Sequence, residues 1–529
     1  MNKNNSNPII KTIYTNRGYA IVKKHFSSEL IEKTKKELMM TPFAPDDYMA
    51  KPQPFPIYLE SSQKLYLPKF YGFKTFGEPD QVKISKGFDI DVNCTATPRD
   101  YQSKVIDMYL DSCRDGPFNK YSRGGLLSVF CGWGKTMAAI YIVSKLKKKT
   151  LVIVHKEFLL NQWISEIKRF LPDATIGTIQ GQKIDTKGKD IVIGMLQSIS
   201  MKDYEPELFE EFGLTIIDEC HHIAAEVFSR ALPKINSYYM LGLSATPNRA
   251  DGLSKVFHHY LGPFIYKIMT RNDEQKVRVH TIYYSDNHPD YSREELTAFN
   301  KVCVPKMVTN IVNCGNRNLL INCLIKRLVA DGRKILVLSD RRDHLSCIYS
   351  MAYQYATVGY YMGGMKQKEL DISAEKQVIL GTYPMSSEGL NIPDLDTAIF
   401  TTSKSSIEQS IGRIVRKVHQ RQPYAFDIVD DFSVFPRQYY KREKVYKKFQ
   451  YELYETHIDT NEKTNANSFE YQLDHGFKQK RYGKGAIEED NDCSSASEAE
   501  EETDSKTIVK PKKKQNKKVA QIECCIEDD

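Results

Sequence analysis

Between Thr97 and Val429, short runs rich in Val, Ile and Leu alternate with amphipathic segments of helical length. The runs are LVIVH (Leu151 to His155), DIVIGM (Asp190 to Met195), LTIIDE (Leu214 to Glu219), YMLGLSAT (Tyr239 to Thr246), KILVLSD (Lys334 to Asp340), QVILGTY (Gln377 to Tyr383) and TAIFTT (Thr397 to Thr402). A strand that is apolar at consecutive positions is buried on both faces, which is the condition of a parallel sheet wound with helices on each side. The class is therefore α/β with parallel, doubly wound sheets. The runs form two groups, before about Tyr266 and after about Arg333, joined by a stretch rich in Arg, Asn and Asp around Arg271 to Glu295. That grouping predicts two tandem α/β domains, at 93–268 and 269–440, the second including the linker.

The flanks read differently. In residues 1–92, Tyr19 to Val22 reads as a strand and Ser27 as the N-cap of a helix with an acidic first turn. After Pro42, Pro52, Pro54, Pro56, Tyr58, Tyr66 and Tyr71 favour a compact strand-and-turn module, so the region is expected to be a small α+β accessory unit. Its aromatics either stack on bases or fill a small core. Residues 441–487 read as a basic helical extension, and in Arg437 to Lys448 tyrosines interleave with cations at helical spacing. Such a helix either binds a strand by stacking and phosphate neutralisation or packs its tyrosines on the second lobe, and both can hold. From Glu488 an acidic, Ser-rich block and then a lysine cluster, Lys510 to Lys518, lack apolar periodicity, so 488–529 is expected to be a disordered tail. The lysines are either solvated charge or a nuclear-targeting or nucleic-acid patch.

Charge follows the same division. Residues 488–529 hold thirteen acids and seven bases, so the remainder carries +14 against +8 for the whole 529-residue chain. A basic body favours a polyanionic partner such as nucleic acid, although it also serves solubility. No stretch approaches the roughly 20 apolar residues of a membrane span. The start MNKNNSNPIIKTIY has no apolar signal core, and the eleven cysteines include no Cys-x-x-Cys pair. The expectation is a chain that is not secreted, with reduced thiols, in the cytoplasm or nucleus.

Three elements carry chemistry. In SVFCGWGKTMAAI (Ser128 to Ile140) an apolar run, a Gly-x-Gly-Lys-Thr turn and a helical pattern follow one another. Gly132 and Gly134 let backbone N–H groups face inward on phosphates, Lys135 reaches the β- and γ-phosphates, and Thr136 offers its hydroxyl to Mg²⁺. Val129 stands where the full phosphate-loop pattern has glycine, so the loop alone leaves any Gly-rich turn open. In LTIIDECHH, Asp218 at a strand end is placed to hold Mg²⁺ and Glu219 to align a water. The other readings are an acidic helix cap or a zinc site at Cys220, His221 and His222, for which no second Cys/His pair lies at suitable spacing. Third, in Gln409-Ser-Ile-Gly-Arg-Ile-Val-Arg416, Arg413 and Arg416 are three apart and are expected on one helix face that meets a γ-phosphate when two domains close.

With GLSATP (Gly242 to Pro247), these elements resemble the superfamily 2 helicases over roughly residues 93–435. Within that superfamily the chain is most similar to the branch of the xeroderma pigmentosum group B, phage UvsW and poxvirus transcript-release helicases, and to their relatives in large DNA viruses. The residues carrying this are Pro98-Arg-Asp-Tyr-Gln102, the DECH box Asp218 to His221, Leu243 to Gly252, and Met385 to Pro393. The resemblance implies two RecA-like domains, ATP and Mg²⁺ as cofactors, and DNA or RNA as partner. It implies that Gln102 with Arg99 reads the adenine and that Cys131, Gly132, Trp133, Gly134, Lys135 and Thr136 hold the triphosphate. Asp218 then binds Mg²⁺ through water and Glu219 is the catalytic base. Ser244, Ala245 and Thr246 couple hydrolysis to grip, and Gly389 with Asn391, where relatives often have Asp, touches nucleotide and backbone. Gln409, Arg413 and Arg416 form the arginine-finger face. Val154 to Trp163, in particular Gln162, and Gln197 and Ser198 match positions that grip a single strand.

The function expected is an ATP-dependent helicase or translocase on DNA or a DNA–RNA hybrid, and the resemblance implies 3′ to 5′ polarity and transcript release in viral transcription, ahead of repair. It is expected to act as a monomer, alongside transcription or replication machinery, in the cytoplasm or nucleus, including a viral factory or virion. An RNA helicase is the alternative within the enzyme class, and a non-hydrolysing nucleic-acid scaffold is the alternative outside it. Intact Lys135, Asp218, Glu219 and Arg416 argue against the scaffold.

Overall fold

The computed structural model describes residues 9–43, 52–114, 123–130, 132–224, 226–245, 251–268, 276–390, 392–417, 419–460 and 464–480. All seven apolar runs are strands, and they lie in two eight-stranded sheets.

The first sheet runs in the order Lys183–Asp185, Ile176–Gln180, Ile191–Met195, Thr150–Val154, Leu214–Ile217, Tyr239–Ser244, Gly124–Val129 and Phe264–Ile268. Its neighbours are parallel except for the antiparallel edge pair Ile176–Gln180 and Lys183–Asp185. Alternate residues of one strand enter different cores: Leu151 and Ile153 join one cluster, and Val152 and Val154 the other. Burial on both faces is why these strands read as continuous apolar runs. The strands end together, which places the loops after Val129, Ile217 and Ser244 along one edge.

The second sheet has the order Val358–Tyr361, Val378–Thr382, Ile335–Ser339, Thr397–Phe400, Tyr424–Asp430, Arg278–Asp286, Glu452–Thr460 and Lys478–Gln479. Two of its strands correct the sequence reading. The stretch taken as a polar joint, Arg271 to Glu295, contains the strand Arg278–Asp286, paired in parallel on both sides. The region expected to be a helical extension, 441–487, instead leaves the helix Phe435–Lys448 for the strand Glu452–Thr460, the helix Ala466–His475 and the short strand Lys478–Gln479. Both long strands interleave polar residues with buried Val279, Ile282, Leu453 and Ile458, a pattern without the unbroken apolar run by which the others were found. The second lobe therefore extends past residue 440.

The N-terminal module is a five-stranded sheet, Leu59–Glu60, Lys64–Leu67, Gly18–Val22, Thr12–Thr15 and Gln81–Val82, with helices Ser28–Glu37 and Lys69–Phe76. Ser27 caps the first helix, its Oγ accepting from Leu30 N–H at 3.3 Å. Most of the module's aromatics are core, Phe73 packing edge-on against Tyr14 and Tyr19 with Tyr66 and Tyr71 buried, whereas Phe43 and Phe88 are exposed. Its apolar cluster is continuous with one face of the first lobe. Polar ties cross the seam: the buried Lys69 ammonium donates to Tyr238 O (3.1 Å) and Arg123 O (3.4 Å), and Tyr260 Oη donates to Ile57 O (2.7 Å). Among the described residues no helix is long and apolar enough to cross a membrane. The tail 488–529 lies outside the described residues.

Candidate nucleotide site between the lobes

The loop after the strand Gly124–Val129 enters the helix Lys135–Leu146 through Gly132 (φ 88°) and Gly134 (φ 96°), both in the left-handed region that glycine alone adopts freely. No side chain caps this helix, so its first-turn N–H groups point at the loop with the positive end of the helix dipole behind them. Gln102 braces the loop from below. Its Nε2 donates to Trp133 O (2.8 Å) and its Oε1 accepts from Arg99 N–H (2.9 Å), and a Cβ on Gly134 would stand 2.4 Å from that Nε2. Arg99 reaches the Tyr101 hydroxyl at 2.8 Å. Val129, where the family pattern has glycine, is a fully buried strand residue, so the loop does not need a glycine there.

Across the sheet edge, Lys135 Nζ lies 3.2 Å from Glu219 Oε1. The Glu219 backbone is left-handed (φ 45°), a strained conformation for a non-glycine residue at the end of its strand. Burial works to raise the Glu219 carboxyl, but the Lys135 ammonium and then His221 override it and hold it below its ordinary value. Asp218 is raised, by burial first and by the Glu219 charge second. Both of its oxygens nonetheless have donors: Trp163 Nε1–H to Oδ2 (2.9 Å) and Glu219 N–H to Oδ1 (3.0 Å). Trp163, read from sequence as the end of a strand-gripping segment, is instead buried and positions Asp218. Its residue type carried no signal for that role.

The DECH histidine links this site to the end of the strand Tyr239–Ser244. His221 Nδ1 stands 3.2 Å from Ser244 Oγ and 3.4 Å from Glu219 Oε2, and the His222 ring packs between those of His221 (4.2 Å) and His155 (4.0 Å). Cys220 is buried in the core with its thiol pushed up by burial, apart from any role beside the histidines.

The second lobe meets the first at the same edge. A Cβ on Gly132 would lie 3.6 Å from Arg416 Cα, and one on Gly389 would lie 3.0 Å from the Phe158 ring. Arg413 and Arg416 do not share a helix face, because the helix Glu408–Ile411 ends before both and residues 412–417 are turns and bends. Gly412 follows immediately, which breaks the regular spacing assumed from sequence. Arg413 is buried with Nη1 donating to Leu390 O (3.0 Å), so it ties the arginine segment to the Gly389 segment. Tyr361 Oη donates to Gly389 O (3.1 Å) from the opposite side.

Beside this seam a cleft of about 860 Å³ is lined from the first lobe by Lys156, Phe158 and Asn161, and from the second by Arg342, Lys366 and Met385. Gln162 is half-buried on the same helix as Phe158. Gln197 and Ser198 lie on the helix Leu196–Met201, where Ser198 Oγ accepts from Gly181 N–H (2.9 Å). Gln409 sits on the short helix before the arginines, Thr136 is half-buried at the start of the phosphate-loop helix, and Ala245 is buried after Ser244. Cys131, Thr246 and Asn391 lie outside the described residues.

The family described as "Type III restriction enzyme, res subunit" matches residues 95–249. The "Putative ATP-dependent RNA helicase L396" of Acanthamoeba polyphaga mimivirus is 37% identical over 462 residues, 85% of this chain and 88% of that protein. The chain belongs to the superfamily 2 helicases, in their large-DNA-virus branch. The "Putative ATP-dependent RNA helicase QP509L" of African swine fever virus (isolate Pig/Kenya/KEN-50/1950) is 27% identical over 67% of this chain and 73% of its own length. The "Putative helicase 161L" of Invertebrate iridescent virus 6 is 29% identical over 61% and 76%. The crystal structure of T4 UvsW aligns with 82% of this chain and 96% of that one at 17% identity and a TM-score of 0.32. As a superfamily 2 helicase the chain is an ATP-dependent enzyme acting on nucleic acid, with two RecA-like lobes. The residues fit ATP: two left-handed glycines, an uncapped helix N-terminus and a lysine make a polyphosphate cradle, and an arginine segment of the other lobe abuts it.

Proposed function

We propose that this helicase steps 3′ to 5′ along DNA or a DNA–RNA hybrid, using Mg²⁺ with ATP, and that it releases transcripts during viral transcription. The observation that carries the mechanism is the approach of Arg416 to Gly132, which puts an arginine of the second lobe against the phosphate cradle of the first. When bound, Mg²⁺ would supply positive charge to the phosphate oxygens. The N–H groups around Gly132 and Gly134 bind those phosphates, Lys135 compensates their charge, and Thr136 and Asp218 are the residues that would hold the metal. Glu219 Oε2, which accepts no hydrogen bond in the structure, takes a proton from the water whose oxygen bonds to the γ-phosphorus as the bond from that phosphorus to ADP breaks, while Lys135 keeps Oε1. Arg416 contributes its guanidinium only when the lobes are closed.

Coupling runs from Glu219 through His221 to Ser244, and from Arg413 through Leu390 to Gly389 and the Phe158 contact. Closing and opening the seam therefore changes both ends of the cleft in which a strand would be held. Gln162, Gln197 and Ser198 grip phosphates rather than base edges, so little sequence preference is expected. The enzyme is expected to work as a monomer alongside transcription or replication machinery, in the cytoplasm or nucleus, including a viral factory or virion.

A second reading, an RNA helicase, is favoured by the printed names of the mimivirus and African swine fever virus relatives. Strand displacement on matched DNA, RNA and hybrid duplexes with 3′ or 5′ overhangs decides between them. Displacement of DNA or hybrid duplexes from a 3′ overhang is the expected result. Activity confined to RNA duplexes would overturn the first reading, and no ATP-dependent displacement on any of them would overturn both.

A further inference from the structure

The helix Phe435–Lys448 has two faces of different character. Phe435, Tyr439, Arg442, Glu443 and Tyr446 are buried against the second sheet. Arg442 makes paired bonds to Asp427 (2.8 and 2.9 Å), Tyr446 Oη donates to the same carboxylate (2.7 Å), and Tyr439 Oη pairs with Thr281 Oγ1 (3.0 Å). The helix is thus fixed on the lobe. At about 100° per residue, Arg437, Tyr440, Lys441, Lys444 and Lys448 fall within an arc of about 100° on the opposite side. All five are exposed, Tyr440 by 57%.

This outer face has charge with nothing to answer it. Among the described residues Arg437, Lys441, Lys444 and Lys448 have no carboxylate within 4.0 Å; the helix's one acid, Glu443, is turned to Lys447 (3.2 Å) and Lys480 (3.1 Å). Lys444 Nζ lies 4.9 Å from the Tyr440 ring, leaving the tyrosine as a flat platform within the row of cations. The four cations span about 16 Å of helix. Packing does not use this face, and a merely solubilising face would intersperse both signs.

We propose that this stripe is a second contact for single-stranded nucleic acid, outside the interlobe cleft, in which Arg437, Lys441, Lys444 and Lys448 neutralise successive phosphates and Tyr440 stacks on a base. The occupant is a single strand, because a cation row interrupted by an exposed aromatic matches backbone neutralisation with base stacking, and a duplex offers no open base face at its side. The proposal rests on the helicase reading. It gives the second lobe a hold on the strand that does not depend on whether the seam is open or closed.

The test uses the full chain without nucleotide and a labelled thirty-base oligothymidine, with binding followed by fluorescence anisotropy across a salt series. The quadruple variant Arg437→Gln, Lys441→Gln, Lys444→Gln, Lys448→Gln keeps a good helix former at each position. Each phosphate neutralised on a single strand contributes roughly 0.7 to the slope of log K against log salt, so the slope is expected to fall by about three. Tyr440→Ala is expected to weaken binding about tenfold at unchanged slope, with Tyr440→Phe like the parent. Both variants should keep the parent's maximal strand-stimulated ATPase rate while needing more strand to reach it. Equal slopes in parent and quadruple variant overturn the proposal. Equal slopes that separate only after truncation beyond Ile487 overturn it as well, and make the acidic block Glu488 to Asp504 the occupant instead. A parent without strand-stimulated ATPase would refute the helicase reading, a different failure from a parent that is stimulated and a variant that is unchanged.

Discussion

Replacing Trp163 with Phe removes one N–H from the buried floor of the proposed nucleotide site. The Trp163 indole is 1% exposed, and its N–H is one of two donors, with the Glu219 N–H, that hold the Asp218 carboxylate in place. Burial and the Glu219 charge both disfavour the charged form of Asp218, and the Lys135 ammonium, then the two donors, work against them. A hydrogen bond to a charged group contributes about 1.5–3 kcal/mol, and losing a second donor to a metal-binding carboxylate lowers metal affinity by about 10- to 100-fold. The expected result is a rise of that size in the Mg²⁺ concentration for half-maximal strand-stimulated ATP hydrolysis, with a maximal rate close to the parent's. The removed donor favoured only the charged form, so the acid limb of the pH–rate profile moves to higher pH. The smaller ring leaves a cavity, and a melting curve at saturating Mg²⁺ separates that general loss from the specific one. A folded variant with the parent's Mg²⁺ dependence and the parent's acid limb would refute the claim that Trp163 positions Asp218.

Lys135→Ala is expected to abolish ATP turnover while single-strand binding survives, checked by steady-state ATPase and anisotropy. It also removes the partner that holds Glu219 low; the stability this pair contributes is present above the ordinary carboxylate range and lost as pH falls through the depressed value, so parent and variant melting temperatures should converge in acid. Arg416→Ala should spare ATP binding and slow single-turnover hydrolysis on the order of 10³-fold, with Arg416→Lys closer to Ala than to the parent because an ammonium lacks the planar fork. Gly134→Ala forces a side chain into a left-handed backbone and against Gln102 Nε2, costing about 1–3 kcal/mol, to be read as a lower melting temperature together with weaker ATP binding. Arg413→Ala should lower the melting temperature and ATPase together, since its guanidinium is committed to Leu390 O inside the protein.

The sequence alone determined the features that are local in the chain. Seven strands were legible because a strand covered on both faces must be apolar at every position, and the candidate phosphate loop stood out because its glycines, lysine and following helix are contiguous. The resemblance to superfamily 2 rested on equally short motifs, and the mimivirus relative bears out the family. What stayed hidden depends on residues far apart in the chain. Arg278–Asp286 and Glu452–Thr460 are parallel neighbours, yet each is too polar to be recognised singly, because the pairing that stabilises them joins residues some 174 positions apart. Trp163 meets Asp218 across 55 residues, and Arg416 meets Gly132 across the seam of two lobes. Arg413 and Arg416 look equivalent in sequence; burial against Leu390 O for one and proximity to the phosphate loop for the other set them apart. The same holds for the tyrosines of Phe435–Lys448, where composition gave a basic aromatic helix but only packing on the sheet decided that Tyr439 and Tyr446 face inward and Tyr440 outward. Periodicity fixes which residues share a face, whereas the partner that buries one face and leaves the other to solvent comes from the tertiary structure.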